Sequence, residues 1–143
     1  MGFEGTGKLG TAFMASIPRH PLFTEFLQTY SNRRFVREDG SYDMTSINAS
    51  IAPLLVKRGL NLNKSEYQHI SENIAVYPTD YFCAFNMDDW YPEPTNRTYT
   101  IHFMASSWQS KKIKFKIALF YIMRKCLGDK NYNTFRRFLR KGN

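Results

Sequence analysis

Apolar residues recur at helical spacing in three stretches of the chain and form short extended runs between them. Leu22, Phe23, Phe26, Leu27 and Tyr30 fall on one face of a helix opening at Pro21, whose missing N–H costs nothing in a first turn. Met44, Ile47, Ile51, Leu54 and Leu55 form a second stripe and predict a helix from Met44 to about Arg58. Asp43 is its expected N-cap, since a carboxylate accepts hydrogen bonds from the orphan N–H groups of a first turn. Gly59 is its expected stop, and Pro53 inside it should kink or split it. A third run, from about Ser110 to Leu127, stops at Gly128, and a short helix over about Asn131 to Leu139 follows. Leu9 to Ser16, Tyr67 to Ile70, Ile74 to Tyr77 and Thr98 to Met104 read as strands. The polar stretch from Asn32 to Asp43 is a loop with a turn at Asp39-Gly40.

Composition changes this picture in one respect. With 143 residues, 43% of them apolar and 16% aromatic, the chain suits one folded domain with a real core. Its charge of +8 is unevenly spread: from Lys111 onward there are eleven Lys or Arg and one acid, Asp129, a net +10. Residues 1–110 therefore carry −2, and the basic character belongs to the tail alone. Cys83 and Cys126 stand far apart, with neither disulfide-framework nor zinc-finger spacing, which fits a reducing cytoplasmic setting. No signal peptide is predicted, and the apolar run from Ile117 to Met123 is too short to span a bilayer, which takes about 20 residues.

Gly5-Thr6-Gly7-Lys8-Leu9-Gly10 matches a dinucleotide fingerprint, and Gly2 to Lys8 most of a phosphate loop. Both motifs need a strand before and a helix after, so that backbone N–H groups face phosphate. Here a strand-like segment follows, and Leu9 stands where a magnesium-holding hydroxyl is needed. These glycines read as a turn entering a strand.

Tyr99-Thr100-Ile101-His102-Phe103-Met104-Ala105-Ser106-Ser107-Trp108 places a histidine, a small-residue loop and a Ser-Trp pair in succession. This resembles the closing motif of glycosyltransferase family 32, which includes capsular polysaccharide transferases and yeast mannosyltransferases. Gly2-Phe3-Glu4, Gly10-Thr11-Ala12, His20-Pro21, Glu38 to Thr45 and Tyr77-Pro78-Thr79-Asp80-Tyr81-Phe82 resemble bacterial members in the same order. The resemblance covers about residues 2–108. It implies an α/β GT-A fold, of which residues 1–109 would be the C-terminal, acceptor-side part, with residues 110–143 as a basic helical tail. It also implies a retaining hexosyltransferase that uses a nucleotide-sugar donor, a glycan or lipid-linked acceptor, and Mn or Mg. The family holds its metal with an Asp-x-Asp motif upstream of Gly-Phe-Glu; this chain contains none, so the donor half is expected to be missing and the chain inactive alone.

Within that resemblance His102 is the candidate metal ligand, because a neutral imidazole can join carboxylates around a divalent cation; the alternative is a hydrogen-bonded core histidine. Trp108 is a candidate stacking platform for donor base or sugar, and Ser106 and Ser107 for phosphate oxygens; the alternative for Trp108 is a core plug. Asp39 and Asp43 are candidates for acceptor hydroxyls, against turn and cap roles. Trp90 and Tyr91 offer an acceptor platform or an ordinary loop. No nucleophile or base is assigned.

In the tail, lysines at 111, 112, 114 and 116 oppose the helix macrodipole, so helix stability does not account for them. Basic residues interleaved with aromatics suit an anionic membrane surface, at the inner face of the plasma membrane. A solvated helix packed on its own domain is the other reading. A non-catalytic membrane-binding module is therefore the alternative function. Nucleic acid is not expected as a partner, because the body is slightly acidic.

Overall fold

The computed structural model describes residues 1–5, 7–71, 73–86, 91–103 and 110–141, with side chains except at 113, 116 and 136–141. Contacts divide the chain into two units, Met1–Ala84 with Pro94–His102, and Phe85–Glu93 with Phe103–Asn143.

The first unit opens with β1 (Gly2–Gly5) antiparallel to β2 (Lys8–Gly10), Phe3 opposite Leu9. Gly7 turns the chain at φ 70°. A Cβ on Gly10 would lie 3.1 Å from Glu4 Cβ and 3.2 Å from the Gly2 carbonyl, so this glycine lets the strands approach. The glycine-rich start is a turn entering a strand, as expected, but a strand also precedes it, and the predicted strand to Ser16 ends at Gly10.

Helix α1 (Pro21–Gln28) begins as predicted at Pro21, with His20 Nδ1 accepting from Leu22 N–H at 3.2 Å. Helix α2 (Ile47–Lys57) starts three residues later than the apolar stripe suggests, leaving Met44 79% exposed. Its cap is Ser46, whose Oγ accepts from Ala49 N–H, and not Asp43, which binds Arg33 instead. The helix runs on through Pro53 without a split, with the loss of one bond to the Ala49 carbonyl. It ends in a Schellman motif: Gly59 at φ 101° donates to Val56 O, Leu60 donates to Leu55 O, and Leu60 is buried. Arg58 binds Glu25 at 2.7 Å and ties α2 to α1.

Strands β3 (Gln68–Ile70) and β4 (Ile74–Val76) form the predicted hairpin, Ile70 opposite Ile74. The chain leaving β4 then meets β1 in a parallel bridge between Gly2 and Tyr77. Phe3 N–H donates to Tyr77 O at 2.9 Å, and Tyr77 N–H donates to Met1 O at 3.0 Å. Phe3, Ile51, Leu55 and Val76 lie at the centre of the core, with no exposed surface. A short helix, α3 (Thr79–Phe82), follows. The strand expected from Thr98 is absent over residues 98–103; that segment spends its hydrogen bonds on α3.

The second unit holds β5 (Phe85–Asn86) paired antiparallel with β6 (Tyr91–Pro92), and α4 (Lys111–Lys141). Gly128, at φ 72° and ψ 160°, kinks α4 where the sequence predicts two helices to part. Arg124 is buried, with Nε 2.6 Å from Asp129, Nη2 3.4 Å from Glu93 and its guanidinium 3.9 Å from the Tyr91 ring centroid. One cation thus joins both sides of the kink to β6, and it carries the charge partners that burial demands. No helix among the described residues is long and apolar enough to cross a membrane.

Replacing a fully buried core side chain should be far costlier than replacing its exposed counterpart. Leu55→Ala is expected to lose about 2–5 kcal/mol in urea unfolding, and Leu27→Ala, 69% exposed, less than about 0.5 kcal/mol.

Candidate metal centre

Strand alternation sends Phe3 into the core and leaves the next residue, Glu4, half-buried on the other side. Asn48, in the first turn of α2, donates Nδ2 to Glu4 Oε2 at 3.3 Å. Thr11 donates its hydroxyl to Asn48 Oδ1 at 2.6 Å, so the amide is fixed at both ends. The threonine of Gly10-Thr11-Ala12 thereby positions the glutamate of Gly2-Phe3-Glu4.

Cys83 is the C-cap of α3, its N–H donating to Thr79 O at 2.9 Å. A side chain on Gly2 would meet the Phe82 ring at 3.1 Å, so this glycine admits the end of α3 against β1. Phe13 stacks on Phe82 at 4.2 Å. The thiol of Cys83 is buried, and burial, followed by the nearby Glu4 charge, pushes its pKa up to about 11.

His102 arrives on a segment pinned to α3. Thr98 donates its hydroxyl to Asp80 O at 2.7 Å, Tyr99 N–H donates to Tyr81 O at 2.9 Å, and Thr100 donates its hydroxyl to Phe82 O at 3.1 Å. Arg97 adds an ion pair to the Asp80 carboxylate at 2.7 Å. Two residues later the exposed His102 ring lies beside Glu4 and Cys83, and one donor atom from each lies within 4.8 Å of the other two.

The expected metal ligand thus stands next to a carboxylate, as its chemistry requires, and next to a thiol that sequence reading missed. The available signal was position: Cys83 directly follows the Tyr77 to Phe82 motif. One sulfur, one nitrogen and one oxygen form a mixed soft and hard set. Mg and Mn favour oxygen donors, and these three residues supply one such group. The trio does not fit Mg or Mn by itself.

The remaining predicted residues lie elsewhere. Asp39 accepts from Ser41 Oγ at 2.7 Å and from Ser41 N–H at 2.9 Å, which hold its carboxyl below the usual range. Asp43 is engaged at both oxygens: Oδ1 accepts from Thr45 Oγ1 at 2.6 Å and Thr45 N–H at 3.0 Å, and Oδ2 pairs with Arg33 at 2.8 Å. These bonds, the Thr45 hydroxyl first, hold its carboxyl far below the usual range. Asp43 lines a pocket of about 410 Å³ with Tyr30, Arg33 and Arg34, yet its own oxygens serve the loop. Neither aspartate joins Glu4, Cys83 and His102. Ser106, Ser107 and Trp108 lie outside the described residues, as does Trp90.

No protein-family model, no curated protein and no solved structure matches the chain.

Cys83 should resist alkylation at neutral pH in chelator-treated folded protein, while exposed Cys126 reacts. Burial and the Glu4 charge keep the Cys83 thiol protonated, so it presents far fewer thiolates than a free cysteine. Mass spectrometry after brief native labelling checks this; equal labelling of both would contradict the buried placement. A pKa raised in the fold favours the folded state below the unfolded value and loses that contribution above it. Stability should therefore fall as pH rises from about 9 towards about 11, and less so in Cys83→Ala.

Proposed function

We propose that the chain is the acceptor-side portion of a retaining, metal-dependent GT-A glycosyltransferase akin to glycosyltransferase family 32. On this reading it serves transfer of a hexose from a nucleotide-sugar to a cell-surface glycan or lipid-linked acceptor, in the cytoplasm. The observation that carries the reading is the meeting of sequence motifs spread over a hundred positions. Gly2-Phe3-Glu4 hydrogen-bonds to Tyr77, Thr11 sets the amide that holds Glu4, Tyr81 and Phe82 receive Tyr99 and Thr100, and His102 reaches Glu4. Mn or Mg would be held chiefly by an Asp-x-Asp pair, which is not among these 143 residues. When bound there, such a metal neutralises the leaving diphosphate.

The test is transfer. The 143 residues with nucleotide-sugars and manganese should give negligible turnover; joined to a donor half that carries Asp-x-Asp, they should transfer with retention. In that joined protein, His102→Ala should lower activity while leaving the thermal midpoint close to that of the parent. Unchanged activity with a large loss of stability would return His102 to a structural role. Robust turnover by the chain alone, or none by the joined protein, would overturn the reading.

A second reading concerns α4. Phe115, Leu119 and Ile122, spaced along one helix face, are 71%, 45% and 56% exposed, and Lys111, Lys112, Lys114 and Lys125 around them are exposed as well. An apolar stripe flanked by cations suits the surface of an anionic bilayer, and would bring the enzyme to lipid-linked acceptors. The chain should pellet with anionic vesicles and much more weakly with neutral ones. Raising salt should weaken pelleting by about 1 kcal/mol per lysine engaged, and Phe115→Ser with Ile122→Ser should remove the salt-resistant remainder. Equal, negligible pelleting with both vesicle types would mean that the charge is only a solvated face.

A further inference from the structure

We infer that Glu4, Cys83 and His102 form a zinc site with one coordination position open to solvent. The three donors come from β1, the end of α3 and the segment behind it: Asn48 holds the Glu4 carboxylate, the Cys83 N–H donates to Thr79 O, and His102 follows Thr100, which is bonded to Phe82 O. Their donor atoms lie within 4.8 Å of one another. Around tetrahedral zinc, ligand atoms at about 2.0–2.3 Å from the metal stand roughly 3.5 Å apart. Closure by little more than about 1 Å is needed, and the exposed His102 ring is the member free to swing.

Availability separates these groups from the other acids. Asp43 spends both oxygens on Arg33 and Thr45. Glu4, among the described residues, accepts one side-chain hydrogen bond, and that bond is long at 3.3 Å. A protonated Cys83 offers the Glu4 carboxylate only a weak S–H donor, whereas a cation between them would join both. The Thr11–Asn48–Glu4 relay has the form of an outer shell that aims a carboxylate ligand.

The donor set selects the metal. Thiolate and imidazole favour zinc over manganese and magnesium, and three protein ligands leave the fourth position for water or an anionic oxygen. When zinc enters, the Cys83 S–H bond breaks, the sulfur–zinc bond forms and the proton leaves to solvent. The site shares His102 with the transferase reading, and the two are tested apart: this one by metal binding to the chain as it stands, that one by sugar transfer.

The intact chain, stripped with chelator, is titrated with zinc against a chromophoric chelator, and separately with cobalt. We expect one zinc per chain, manganese binding weaker by at least about a hundredfold, and a cobalt complex with tetrahedral d–d bands and a thiolate-to-cobalt charge-transfer band. Cys83→Ser should abolish that band and weaken zinc by at least about a hundredfold, Asn48→Ala should weaken it by about tenfold, and Cys126→Ser should change neither. Circular dichroism checks that the variants fold. Should Cys83→Ser unfold, the parent's cobalt spectrum decides alone. Absence of stoichiometric zinc, cobalt bound without the thiolate band, or zinc affinity unchanged in folded Cys83→Ser would each overturn the site.

Discussion

Two backbone hydrogen bonds, Phe3 N–H to Tyr77 O and Tyr77 N–H to Met1 O, join the first strand to the end of the β3–β4 hairpin. They bring together residues more than seventy positions apart, so their formation must offset a large loop-closure entropy. The core supplies that offset, since Phe3 and Val76 on either side of the seam are fully buried. Once the seam is closed, α3 has to lie against Gly2, whose missing side chain leaves room for Phe82. Cys83 then falls next to Glu4, and the segment bonded to α3 delivers His102 to both.

Locally determined features were legible in the sequence. Pro21 at a helix start, Gly59 at a helix end, the turn between β3 and β4 and the break at Gly128 each follow from one or two residues' conformational preferences. Features set by distant partners were not. Asp43 has the right chemistry for a cap, but Arg33 and Thr45 claim it and Ser46 caps instead. Residues 98–103 alternate as a strand would, yet the carbonyls they meet belong to Tyr81 and Phe82 rather than to a neighbouring strand. Cys83 received no role from the sequence, because a thiol's meaning depends on what the fold sets beside it, here a carboxylate that lies 79 positions earlier.

Carboxylates divide in the same way. Asp39 and Asp43 organise the 35–45 loop, and the hydrogen bonds that do so depress their pKa values. Glu4 accepts a single long side-chain hydrogen bond among the described residues, from Asn48. That distinction moves the chemical interest from the acidic loop, where sequence reading put acceptor binding, to the junction of β1, α3 and the segment ending at His102.

X-ray absorption at the zinc edge tests that junction most directly, because it counts the atoms bonded to the ion without any substitution. In the zinc-loaded chain we predict one sulfur at about 2.3 Å and nitrogen or oxygen neighbours at about 2.0–2.1 Å, with the signature of a single imidazole. A first shell of nitrogen and oxygen alone would contradict the account, since zinc would then sit away from Cys83 and the three segments would not share one ion.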